Sequence, residues 1–290
     1  MDNTTNITTT IIQTINTIFQ NLFSSIDNNL YNVLDDITFI TSDIIYDSFF
    51  EKILGTYTSN GILLICNSLL LGFFIYYSIK YLFSHFTYSQ VETPLQFIFK
   101  VLIFGLCINF SYFFIEEILN LVSSITLAIR GIGESLFNKN ICFSELILEV
   151  NSSIGINTSP LDIFSLDGLI KVSLSTSLLN LVFTYSFRYV MIKIFILLTP
   201  FAFLSLILQN TSWFFKSWIR NLFSLLFIQI IVSIVLLILF SLDYSSNNLI
   251  NKFIYVGAIY ALIKSNSFVR DFIGGVSTTF SQNVNNFLKK

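Results

Sequence analysis

Three cations stand inside apolar sequence: Lys100, Arg188 and Lys193. Ionisable side chains within membrane spans are costly, and they mark either a passage for substrate or a structural pairing. Arg188 and Lys193 have a second option. They can snorkel, laying their aliphatic stems along apolar surface while the charge reaches a nearby interface. Little else in the chain could do chemistry. A single histidine, His85, rules out an HExxH zinc site and ligation of haem by paired histidines. A lone histidine near an interface reads as a solvated or packing residue. The sequence has no GxxxxGK(S/T) loop to cradle phosphate and no GxSxG serine nucleophile. Cys66, Cys107 and Cys142 lack CxxC or metal-ligand spacing, so neither zinc nor a disulfide framework is implied. Two of the three lie in apolar runs, where cysteine serves as a small hydrophobe. The expectation is a non-enzyme without metal or cofactor.

These cations belong to an overwhelmingly apolar chain. Of its 290 residues only 11% are charged, against about 25% in ordinary soluble domains, and the mean hydropathy is +0.75. The net charge of −2 is too small to mark a nucleic-acid footprint. The sequence predicts an all-α polytopic membrane helix bundle with about five spans, six being possible. Its centre is the stretch from Arg188 to Phe240. There an apolar run interrupted by Thr199-Pro200 reaches a short connector, QNTSWFFKSWIR, and a second apolar run follows from Asn221. Runs of about 20 residues suffice to cross the hydrocarbon core. Pro200 should break or kink its helix, because proline supplies no backbone N–H. Trp213, Phe214, Phe215 and Trp218 suit an aromatic belt at headgroup level.

In chain order, residues 1–58 read as an extracytoplasmic amphipathic segment. Ile7, Ile11, Ile15, Ile18, Leu22, Ile26 and Leu30 recur at helical spacing, with Thr, Asn and Gln between them. With no Lys or Arg on its polar face, this helix either rests on the membrane surface or docks against a partner or its own copies. Residues 59–115 hold the first two spans, Gly61 to Ile79 and Pro94 to about Phe114. Residues 116–167 are acidic and read as an extracytoplasmic region, beginning with an amphipathic helix lying along the membrane. Residues 168–263 hold the remaining spans. From Gly168 to Leu208 the apolar run is about twice the length of a single span. Either its first part lies outside the membrane before one tilted span, or a tight hairpin turns near Arg188. Residues 264–290 form a tail containing Gly274-Gly275. Asn67, Asn109 and Gln229 suit hydrogen bonds between helices.

Basic residues gather on cytoplasmic flanks. An extracytoplasmic N-terminus and cytoplasmic C-terminus put Lys80, Lys216, Arg220, Lys264, Arg270, Lys289 and Lys290 on the cytoplasmic side, which needs an odd number of spans.

The sequence around Pro200 resembles the TrbL-like family, polytopic inner-membrane channel components of conjugative type IV secretion systems. The resemblance rests on an apolar helix ending in Leu-Thr-Pro, then Asn-Thr-Ser-Trp-Phe-Phe-Lys-Ser-Trp-Ile-Arg opening a long apolar helix. Its positions here are Pro200, Thr211, Phe214, Phe215 and Trp218. The segment from Lys264 to Gly275 looks similar to the one that follows the last span in Gram-positive members. The resemblance covers roughly Arg188 to Gly275. It implies no catalysis. It implies a scaffold or conduit in the cell membrane for DNA and protein, a homo-oligomer working with separate ATPase and other secretion subunits. The rival expectation is a small-solute transporter or transporter permease subunit, which would show paired broken helices in two related halves.

Overall fold

A computed structural model describes residues 10, 12–18, 33–55, 61–87, 92–153, 165–242 and 249–273. The fold is an all-α polytopic membrane bundle, and no strand occurs among the described residues. After helical stretches at 12–18 and 33–38 and a 3-10 turn at Ser42–Ile45, nine α-helices follow among the described residues: α1 (Ser48–Leu54), α2 (Ile62–Thr87), α3 (Pro94–Asn109), α4 (Ser111–Phe137), α5 (Phe143–Ser153), α6 (Leu166–Leu197), α7 (Thr199–Leu204), α8 (Ser212–Phe240) and α9 (Leu249–Ile273). Among the described residues four stretches are long and apolar enough to span a bilayer: Ile62–Thr87, Ser111–Phe137, Gly168–Leu197 and Gln209–Phe240. Two shorter apolar helices, Pro94–Asn109 and Phe253–Ser265, accompany them.

Helix α8 is the axis. Helix α4 runs beside it in the same direction. Near their starts Ile115 and Leu119 share a cluster with Trp218 and Leu222, and near their ends Gly133 lies against Leu237. A Cβ on Gly133 would come within 2.7 Å of Leu237 Cδ1, so the two helices meet there through the absence of a side chain. Helix α6 runs the opposite way, with Phe195 beside Trp218 at one end and Leu174 beside Leu239 at the other. Helix α9 follows α6. Its Tyr255 also meets Leu239, and its Leu262 carbonyl accepts a 3.3 Å hydrogen bond from the Tyr185 hydroxyl. Helices α2 and α3 stand to one side, where Phe97 and Ile108 pack with Leu204 and Ile207.

Several sequence expectations change here. The second span ends early, at Asn109, and after the single residue Phe110 a 27-residue helix begins. Helix α4 is amphipathic as its spacing says, but its stripe (Ile115, Leu119, Val122, Thr126, Gly133) is buried against the bundle. It is a span-length member of the core, not only a helix outside it. No hairpin turns near Arg188, because α6 continues unbroken through it to Leu197. The break falls at Leu198 instead, and Pro200 occupies the first turn of α7, where a missing N–H is harmless. Helix α9 continues through Lys264 to Ile273, so that base lies within a helix and not beyond its end. The tail from Gly274, including Lys289 and Lys290, lies outside the described residues. So do Ile7, Ile11, Leu22, Ile26 and Leu30 of the N-terminal stripe.

The largest change concerns the N-terminal segment. Residues 33–54 are folded onto the helices: Leu34, Ile40, Ile44, Ile45, Phe50 and Leu54 are all buried. Part of the acidic stretch comes with them, since Tyr46 bonds Glu116 and Asp47 reaches Lys193. This strap is pinned at two places. The Asp35 carboxylate accepts from Phe143 N (2.8 Å), Ser144 N (3.2 Å) and Ser144 Oγ (3.1 Å), capping α5 from more than a hundred residues away. Nearby, Arg130 donates to Ile141 O at 2.7 Å and lies 4.6 Å above the Phe39 ring. The second pin is Arg188.

Candidate functional site

Arg188 has no solvent-accessible surface. Its Nε donates to the Leu225 carbonyl at 2.7 Å, Nη1 to the Thr38 carbonyl at 2.9 Å and Nη2 to Gln229 Oε1 at 3.3 Å. Gln229 also grips the strap, accepting from Ile40 N at 3.3 Å and donating to Ile40 O at 3.5 Å. Among the described residues no carboxylate pairs with Arg188. The strap's backbone groups are available for local reasons. The helical stretch 33–38 ends at Thr38, so that carbonyl has no partner one turn on, and the end of a helix favours a cation. Residues 39–41 are not helical, so Ile40 offers both of its backbone groups to an amide. Irregular backbone survives at membrane depth only when buried in protein or lining a cavity. Here it is buried.

Moving a guanidinium out of water costs several kcal/mol even after relaxation. Three hydrogen bonds to a charged donor, at roughly 1.5–3 kcal/mol each, offset a cost of that size. The planar five-donor fork is what lets one side chain join α6, α8 and the strap. Leu225 lies near the middle of α8, so Arg188 does not reach either end of that helix. Snorkelling is therefore not its arrangement.

The other cations are elsewhere. Lys193, one and a half turns further along α6, is partly exposed, 3.3 Å from Asp47 Oδ2 and above the rings of Phe50 and Tyr189. Lys100 pairs with Glu92 at 2.6 Å on the α2–α3 hairpin. The three charges do not converge.

The residues around the break do assemble. Trp218 is buried, and its indole N–H donates to Phe195 O at 2.9 Å, near the broken end of α6. The Thr199 hydroxyl donates to the same carbonyl at 3.2 Å. Phe203 and Phe215 pack around Trp218 at ring separations of 6.2 and 5.6 Å. Thr211 Oγ1 donates to Ser205 O (2.7 Å) and Leu208 O (3.1 Å), closing the connector. Of the expected aromatic belt, Trp213 is exposed, Phe214 and Phe215 are half-buried, and Trp218 is a core residue. Asn67 and Asn109 pair amide to amide at 3.2 and 3.4 Å. His85 is exposed beside Tyr81, and all three cysteines are free. Among the described residues no group of three or more His, Cys, Asp or Glu could hold a metal.

Sequence reasoning flagged Arg188 and Gln229 but not Thr38 or Ile40. What those two contribute is main chain, which carries no residue signature.

Fold and site together define a polytopic membrane helix bundle with a buried, charge-bearing hydrogen-bond centre. No protein-family model, curated protein or solved structure matches the chain.

Proposed function

We propose that the chain is a non-catalytic structural or channel subunit of a conjugative type IV secretion apparatus, helping DNA and protein substrates across the cell membrane. The observation that carries this reading is the junction of Pro200, Thr211 and Trp218. These residues give the TrbL-like resemblance, and they meet at one elbow where α6 stops, α7 turns and α8 begins. The Arg188 centre supports a scaffold role, because three of its five N–H donors bind the protein's own segments. An extracytoplasmic N-terminus and cytoplasmic C-terminus belong to the same proposal. In its support, Lys80 and the connector residues Gln209 and Asn210 line one pocket, which brings two of the basic flanks to one end of the bundle. Homo-oligomerisation and coupling to separate ATPase subunits are further parts of the proposal.

A second helix break, at Phe110, favours the rival reading of a small-solute transporter, since Ser111 Oγ and Tyr112 Oη beside it are buried without hydrogen-bond partners among the described residues. Deletion in a conjugation-competent donor separates the two. The expected result is loss of DNA transfer, restored by the intact gene; transfer at the undiminished rate would overturn the secretion reading.

A further inference from the structure

A cavity of about 130 Å³ opens where the end of α2 meets the connector between α7 and α8. It has room for several polar groups, since one water needs roughly 10–15 Å³, yet it is well below the roughly 300–1,000 Å³ of small-molecule sites. Its floor is apolar, formed by Phe97 and Ile207, and its rim carries Lys80, Glu92, Gln209 and Asn210.

The rim is organised. Tyr77 stacks on Phe97 at 3.7 Å and donates to the Glu92 carbonyl at 2.6 Å, fixing the backbone of residue 92. Glu92 Oε1 then accepts from both Lys100 (2.6 Å) and Gln209 (2.8 Å), tying α3 to the connector. Its other oxygen, Oε2, accepts no hydrogen bond from the described residues. Lys80 and Asn210, on the same rim, likewise have no hydrogen-bond partner among them. Lys80, Lys100 and Glu92 together carry one net positive charge. Outside the rim, Ile75, Ile79 and Ile98 are exposed apolar residues on the same two helices.

A small polar pocket offering a spare ammonium, a spare amide and a spare carboxylate oxygen, at the end of a span with exposed apolar flanks, matches one kind of ligand. We infer that it binds the zwitterionic headgroup of a glycerophospholipid of the phosphoethanolamine class. The phosphate is held by Lys80 and Asn210, the ligand ammonium by Glu92 Oε2, and the acyl chains leave along the apolar flank of α2 and α3. Basic pockets between helices at the cytoplasmic face are known headgroup receptors; here the added carboxylate selects an ammonium-bearing one.

The test is lipid retention by native mass spectrometry, after release of the full chain from nanodiscs containing phosphatidylethanolamine, phosphatidylglycerol and phosphatidylcholine in equal parts. The expected result is preferential retention of phosphatidylethanolamine. Lys80→Ala should lower it about tenfold, the scale of one lost charge-assisted contact. Glu92→Gln should lower phosphatidylethanolamine alone. Lys80 is exposed, so its variant keeps the fold, and an unchanged unfolding temperature verifies this. Equal retention of all three lipids by every variant would overturn the site and leave only annular lipid. Preference for phosphatidylglycerol, rising in Glu92→Gln, would overturn the assignment of an ammonium-bearing ligand. Displacement of the lipid by inorganic phosphate alone would overturn a lipid ligand in favour of free phosphate.

Discussion

Helices α2 and α8 look alike as sequence: each is a long apolar run bordered by lysine or arginine. In the fold they are opposites. Only 11% of the most apolar window of α2 is buried by protein, against 56% for α8. Apolarity says that a helix leaves water, and it does not say whether lipid or protein receives it. The polar residues record the difference. On α2, Ser68 and Ser78 bond their own backbone and Asn67 its neighbour Asn109, all near the surface. On α8, Gln229 and Ser233 are buried, and Gln229 bonds a segment 189 residues distant.

Breaking the α8 side should cost most. Arg188→Ala removes the donor that joins α6, α8 and the strap, and should lower unfolding stability in detergent by about 3–5 kcal/mol. Arg188→Lys, which keeps the charge without the fork, should recover only part of that. A loss below 1 kcal/mol for Arg188→Ala would mean that the strap does not depend on this residue. Next comes Trp218→Phe, which keeps most of the ring packing but forfeits the indole bond to Phe195. Roughly 1 kcal/mol is expected by the same unfolding assay.

Asp35→Ala should cost about 0.5–2 kcal/mol, the range for a lost helix cap. This residue also brings a pH dependence. Burial raises the Asp35 carboxyl above its ordinary 3.8, outweighing the bonds from Phe143 and Ser144 and the nearby Arg130. The folded state therefore holds that proton more tightly than the unfolded state. The stability it contributes is complete below the ordinary carboxylate value and is lost as pH rises through the raised one. Asp35→Asn should flatten stability across that window; an unchanged profile would refute the burial effect. At the small end, Asn67→Leu on the α2 side should cost about 0.6 kcal/mol, the average for a hydrogen bond between membrane helices. A cost as large as that of Trp218→Phe would erase the contrast between the two helices.

The contrast also separates what was legible in the sequence from what was not. Helices α2 and α8 could be read directly, because twenty apolar residues with basic flanks have few other uses. The break at Pro200 was equally plain, since a missing N–H acts locally. Helix α4 was half legible. Its stripe is visible, but a stripe does not name the surface that receives it, and Glu116 and Glu117 gave it the look of a segment outside the bundle. Its acidic start is in part accounted for by Tyr46, which bonds Glu116. The Arg188 centre was legible as a charge out of place and no further. Two of its three acceptors are main-chain carbonyls, which every residue carries, so only the fold could show that residues 38 and 225 supply them.

The strap also fixes an order of events in the life of the chain. Thr38 and Ile40 leave the ribosome first, yet their seat is built from residues 188, 225 and 229. At roughly 5–20 residues per second, on the order of ten seconds or more pass before Gln229 has even been made. Throughout that interval Leu34, Ile40, Ile44 and Ile45 have no seat on α8, and Arg188 is made before two of its three acceptors, on Leu225 and Gln229. The bundle is thus closed by a segment that precedes it in the chain and must wait until the last of its seat has been made.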